Sequence, residues 1–158
     1  MECGVVLWMN YEMYTDLIFS NDLNVVDFES TGEKGRIPKR VSFRLTMLAN
    51  VYNMAYGDLK DGDIIDDHSR TNNGDRNKIL ATLANIIDIY TDKYPKRMIY
   101  FKGSTKERTR LYRMAVGLHL TELSRKYVIY AEIIKQGEFV LFRKNMSINA
   151  FLIKRKKS

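Results

Sequence analysis

Apolar and polar residues alternate along 25–30 (VVDFES), the period of a strand with one buried face. Two glycines in the following TGEKGR supply a turn, and residues 37–45 (IPKRVSFRL) resume the alternation as the second strand of a hairpin. That pattern places Val41, Phe43 and Leu45 on one face and Arg40, Ser42 and Arg44 on the other. Pro38, near the start of this strand, predicts an edge position. Residues 51–56 (VYNMAY) form a third short strand. A polar, Asp-rich excursion covers 57–74 (GDLKDGDIIDDHSRTNNG), with Ile64 and Ile65 as a brief extended segment inside it.

The spacing becomes helical at 75–93 (DRNKILATLANIIDIYTDK), where Ile79, Leu83, Ile86, Ile87 and Tyr90 recur as one apolar stripe. Asn73, Gly74 and Asp75 offer the chemistry that starts a helix. The Tyr94-Pro95 pair stops it, because proline disfavours helical geometry at the residue before it. Residues 98–102 (MIYFK) are nearly all apolar and predict an interior strand. A second helix is expected over 104–120. Residues 127–134 (YVIYAEII) read as a strand, and Lys135, Gln136 and Gly137 turn into 138–142 (EFVLF) to close a hairpin. Residues 150–153 offer a last strand before the basic run KRKKS. This order predicts an α+β fold: a two-layer sandwich with one mixed, mostly antiparallel sheet of about six strands and two helices packed on one face. Residues 14–153 would form the single domain, between an extension at 1–13 and a basic tail at 154–158.

Composition narrows the class. A chain of 158 residues with 45% apolar content can bury a core. The single cysteine, Cys3, excludes an intramolecular disulfide framework and a cysteine-rich zinc site, and suits a reducing cytoplasm. The apolar run at 4–9 has no basic lead and no small-residue cleavage site, so neither a signal peptide nor a membrane span is expected. The net charge of +7 is unevenly placed. Residues 1–93 hold 10 Lys/Arg against 15 Asp/Glu, a net of −5, whereas 94–158 hold 16 against 4, a net of +12. A basic half of that size favours a polyanionic partner: nucleic acid, a nucleotide or an acidic protein.

Within the basic half, FKGSTKERTRLYRMAV at 101–116 joins a strand to a helix through Gly-Ser-Thr. Ser104 followed by Glu107 has the spacing of a capping box. Leu111, Ala115 and Leu118 then make an apolar face with Met114 beside it, and Lys106, Arg110 and Arg113 lie on another. Capping alone accounts for Ser104. Three features add an anion site to that account. Gly103 permits close backbone approach. The first N–H groups of a helix attract anions. Lys102, Lys106, Arg108 and Arg110 crowd cations at the helix end where the dipole disfavours them, at a cost of about 0.3–1 kcal/mol each unless an anion joins them. Gly103, Ser104, Thr105, Lys106, Arg108, Arg110 and Arg113 are therefore the candidate phosphate-binding set. Asn73, Asp75 and Lys78 would join them in one pocket if both helix starts face the same sheet edge. The spacing is not that of a P-loop, so a nucleoside triphosphatase is not expected.

GRIPKRV at 35–41, VYNMAYGD at 51–58, NNGDRNKILATLA at 72–84 and GSTKERTRLYRM at 103–114 resemble a family of small uncharacterised proteins from Bacteroidota. Blocks like NNGD…KVLAT and GST…RTRLYR recur there in this order. The resemblance covers 14–156 and implies a cytoplasmic bacterial protein. It brings no catalytic residues with it, and it leaves the first dozen residues outside, with Met9 or Met13 as the expected initiator.

Other constellations carry less. Asp58, Asp61, Asp63, Asp66, Asp67, His68 and Asp75 crowd one segment, as a hard-cation site or a metal-dependent nuclease would need, with Asp66, Asp67 and His68 the first ligands. No EF-hand register is present, and Asp and Gly also dominate ordinary turns. His119 sits where a cation complements the helix end, a structural role. Ten tyrosines and seven phenylalanines could stack on single-stranded nucleic acid, but most fall at core-like positions. Lys39, Arg40, Arg44 and the basic tail could add phosphate contacts. No cofactor motif is present and no catalytic set assembles, so the reading is a binding module rather than an enzyme. Its partner would be a nucleic acid or nucleotide. The alternatives are a protein–protein module, such as a toxin–antitoxin or phage-defence component with an acidic partner, and the metal-dependent nuclease. The hairpin edges also allow a homodimer.

Overall fold

The computed structural model describes residues 10–60, 64–66, 73–133 and 138–157. Its strands are β1 (Ile18–Phe19), β2 (Val25–Gly32), β3 (Gly35–Leu45), β4 (Val51–Lys60), β5 (Ile64–Asp66), β6 (Met98–Phe101), β7 (Tyr127–Glu132), β8 (Phe139–Leu141) and β9 (Ala150–Arg155). Its helices are α1 (Arg76–Lys93), α2 (Lys106–Leu118) and the single turn α3 (Leu120–Leu123). The strands hydrogen-bond in the order β1-β2-β3-β4-β6-β9-β7-β8, with β5 on β4. β4 and β6 run parallel. The β1–β2, β4–β5, β6–β9, β7–β8 and β7–β9 pairs are antiparallel.

The fold is therefore α+β with a mixed sheet, as the pattern predicts, but among the described residues nine strands and three helices replace about six and two. Two short strands, β1 and β5, account for part of the difference. The 104–120 helix also breaks at His119, whose backbone closes α2 and opens α3. β3 lies between β2 and β4, so Pro38 stands in an interior strand and not at an edge. Leu45 is 66% exposed, whereas Lys39 and Ser42 on the same strand are buried. β9 takes a central place between β6 and β7, and Phe151, Leu152 and Ile153 are all buried. These three consecutive buried positions match the continuous apolar run FLI.

Two compact units share the chain. The first is Met1–Val41 with Tyr56–Tyr90, and the second is Ser42–Ala55 with Thr91–Ser158. In the first, β2 keeps its alternation: Val26, Phe28 and Ser30 are buried. The α1 stripe is as predicted, with Leu83, Ile86, Ile87 and Tyr90 buried. Phe28 stands between the rings of Tyr14, at 5.6 Å, and Tyr56, at 6.4 Å.

In the second unit, cross-strand register builds two rows on one face: Ile99, Ile153 and Ile129, then Phe101, Phe151 and Ala131. All six are buried. The Tyr112 ring of α2 meets Phe101 at 4.6 Å, so α2 covers this face. The predicted apolar face of α2 does not do the covering. Met114 is 57% and Leu118 64% exposed, and the buried positions of the helix are Thr109 and Gly117.

Candidate functional site

Thr105, and not Ser104, caps α2. Its backbone is extended, and its hydroxyl accepts from the Arg108 N–H at 3.2 Å. The reason lies two residues before the cap. The Gly103 N–H donates to Thr109 Oγ1 at 3.0 Å, so the strand end folds against the first helical turn. A Cβ on Gly103 would stand 2.5 Å from the Thr109 nitrogen, closer than real Cβ atoms come. Glu107 remains in the first turn, where it complements the dipole. Arg108 turns back to Ser104, donating to Oγ at 3.0 Å. Arg113 donates to the Met146 carbonyl at 3.4 Å. Lys102, Lys106 and Arg110 are exposed, and no side chain among the described residues pairs with them.

The second unit gathers the positive charge. Read from the sequence, its segments hold 18 Lys/Arg against 5 Asp/Glu, a net of +13. The first unit's hold 8 against 14, a net of −6, which together restore the chain's +7. Some of the cations are already engaged. Arg97 lies over the rings of Tyr94, at 3.6 Å, and Tyr52, at 4.2 Å. Arg155, in the basic run, bonds Thr91 at 3.0 Å. In the first unit, Lys39 pairs with the buried Asp58, and Arg40 grips Asp27 in a fork of 2.7 and 2.8 Å. Those two cations serve acids of their own unit.

Asn73 and Asp75 belong to the first unit, where they close a hydrogen-bonded chain. Asn73 Nδ2 donates to Ser30 Oγ at 3.2 Å and to the Gly35 carbonyl at 2.9 Å, and its Oδ1 accepts from the Lys34 N–H at 2.6 Å. Ser30 Oγ donates onward to Asp75 Oδ2 at 2.5 Å, and the Tyr14 hydroxyl donates to the same oxygen at 2.5 Å. Lys78 Nζ sits 4.3 Å over the Tyr14 ring. The NNGD block thus clips α1 to the β2–β3 turn. Sequence reasoning missed Tyr14 and Ser30. The legible sign was Ser30, a hydroxyl at the buried phase of an alternating strand.

Of the carboxylates considered for a metal, Asp58 is held by Lys39 and Asp75 by two hydroxyls. Asp66 lies in β5. Asp61, Asp63, Asp67 and His68 lie outside the described residues. Among the described residues, no group of three or more His, Cys, Asp or Glu could hold a metal ion. No helix among them is long and apolar enough to cross a membrane.

A second polar chain sits in the second unit. Tyr100 on β6 donates to Glu132 Oε1 at 2.6 Å, reaching across β9, and Asn149 Nδ2 donates to the same oxygen at 2.7 Å. Burial, and then the bond to Glu132, push the Tyr100 phenol well above its ordinary value. A raised folded-state value means the contribution to stability is complete below about pH 10 and fades as pH rises beyond it. Tyr100→Phe should therefore cost about 1–3 kcal/mol at neutral pH, because the Glu132 carboxylate loses a donor. The gap to the parent should narrow in strong alkali, as urea titrations at the two pH values would read.

A family model for the family of unknown function DUF6934 matches residues 10–156, and the chain belongs to that family. No curated protein and no solved structure matches the chain.

Proposed function

We propose that the chain is a binding module for a phosphate-bearing partner, a nucleic acid or a nucleotide, and that its second unit makes the contact. One observation carries the reading. Lys102, Lys106 and Arg110 stand exposed around the strand–GST–helix element, and no side chain among the described residues pairs with them. They do so in a unit whose sequence carries a net of +13. Cations left unpaired at the start of a helix are stabilised by an arriving anion, which also meets the helix's own N–H groups. Gly103 holds the strand end against the first helical turn. Arg108 serves as the reserve cation, positioned by Ser104.

Phosphate contacts release counterions, so affinity falls with salt. Lys102→Ala/Lys106→Ala/Arg110→Ala should lower the slope of log affinity against log salt by about 2–3, since each phosphate contact contributes roughly 0.7–0.9. Titrations of single-stranded RNA, duplex DNA, nucleotides and inorganic phosphate at two salt concentrations measure it. An unchanged slope removes the assignment. A protein–protein module is the second reading, favoured by Met114 and Leu118, which expose apolar surface on one side of α2.

A further inference from the structure

The sheet of the second unit has a second face. Register puts Tyr100 (β6), Leu152 (β9), Tyr130 (β7) and Leu141 (β8) in one row across four strands, with Phe139 beside them, paired with Glu132. These positions alternate with the six buried residues under α2, so they point the other way. Their exposure differs accordingly. Tyr100, Tyr130, Val128 and Phe139 are half-buried and Leu141 is 62% exposed. Leu152, between the two tyrosines, and Glu132 are sheltered.

The Tyr100 ring on this face is held in place. Tyr100 extends over β9 to Glu132, and Phe139 meets its ring edge-on at 6.5 Å. The bond ties the hydroxyl of this half-buried ring to a residue two strands away. Tyr130 has no hydrogen-bond partner among the described residues. Charge on these strands is one-sided. Glu132 is the only acid in β6, β7, β8 and β9, and it is buried under Tyr100 and Asn149. Lys154 on β9, paired with Val128, is exposed, and so is Lys102 just past β6.

We infer that this face is a stacking platform for single-stranded nucleic acid, with bases on Tyr100 and Tyr130 and phosphates on Lys102 and Lys154. The inference rests on the polyanion reading above and names its partner class. Aromatic rings take any base by its π-face, whereas a duplex hides those faces in its own stack. An acidic protein would satisfy the lysines but makes no particular use of partly exposed tyrosine rings between them.

The test compares the parent chain with Tyr130→Phe and Tyr130→Leu, using a single-stranded oligonucleotide, the matching duplex and inorganic polyphosphate. Stacking on one ring is worth roughly 5- to 150-fold in affinity. Single strands should bind at least about tenfold tighter than duplex. Tyr130→Phe should keep that affinity, and Tyr130→Leu should lose about tenfold with an unchanged salt slope. Tyr130 is half-exposed and unbonded, so both variants should melt within a few degrees of the parent, which thermal unfolding checks. If duplex and polyphosphate bind as tightly as single strands, and Tyr130→Leu has no effect, the platform is overturned while the polyanion reading stands. If none of the three probes binds, both fall.

Discussion

Lys39→Met should destabilise the chain by about 3–5 kcal/mol, while Lys39→Met/Asp58→Leu should cost far less. Both residues look expendable in sequence: a lysine on an alternating strand and one aspartate among many. In the structure they are 5% and 4% exposed and paired to each other, with the Lys39 ammonium 5.8 Å over the Tyr56 ring. Removing the cation leaves the buried Asp58 carboxylate without its counter-charge. Removing both charges leaves an apolar gap that neighbouring side chains can fill. For a domain of this size the single variant should lower Tm by roughly 10 °C. Urea denaturation of both variants gives the difference directly. Equal losses in the two would mean that packing of the lysine stem, and not the ion pair, holds the site.

The same pair shows what the sequence could and could not tell. Period reading found α1, β2, β6 and β7, because each buries a regular set of apolar side chains that recurs at a fixed spacing. It offered Lys39 and Arg40 as phosphate contacts, because the acids that neutralise them, Asp58 and Asp27, come from other strands. It took β3 for an edge from Pro38, although a strand can lose one ladder bond and remain interior. β9 was visible as a strand but not as the centre of its unit. Pairing between residues some fifty apart, such as Ile99 with Ile153, leaves no local mark. At the candidate site, the glycine and the cluster of cations were legible. The cap moved by one residue, because the Gly103–Thr109 bond that decides it spans a turn whose geometry composition does not encode. The tyrosine face was hidden for the opposite reason. Half-exposed aromatics on a strand have the spacing of core residues, and only burial separates them.

Asn73→Ala should cost about 3 kcal/mol, combining lost hydrogen bonds with the unsatisfied backbone groups left behind. The side chain is 2% exposed and fully engaged, with Lys34, Gly35 and Ser30 around it. Alanine would leave the Lys34 N–H and the Gly35 carbonyl without that partner and free Ser30 to drift from Asp75. The tightness of the clip appears at Gly32, where an added Cβ would stand 1.9 Å from the Asn73 carbonyl oxygen. Gly32→Ala must therefore push the two segments apart, at a cost of roughly 1–3 kcal/mol or more. Gly74 follows at φ +79°, a turn glycine makes without strain, and swings the chain into α1. Asn73 and Gly32 thus act on one joint, and thermal unfolding of both variants should show losses of similar size with phosphate affinity unchanged per folded molecule. The opposite result, full stability with weakened polyanion binding in Asn73→Ala, would move this block from scaffold to ligand site. It would return Asn73, Asp75 and Lys78 to the set of residues that meet the partner.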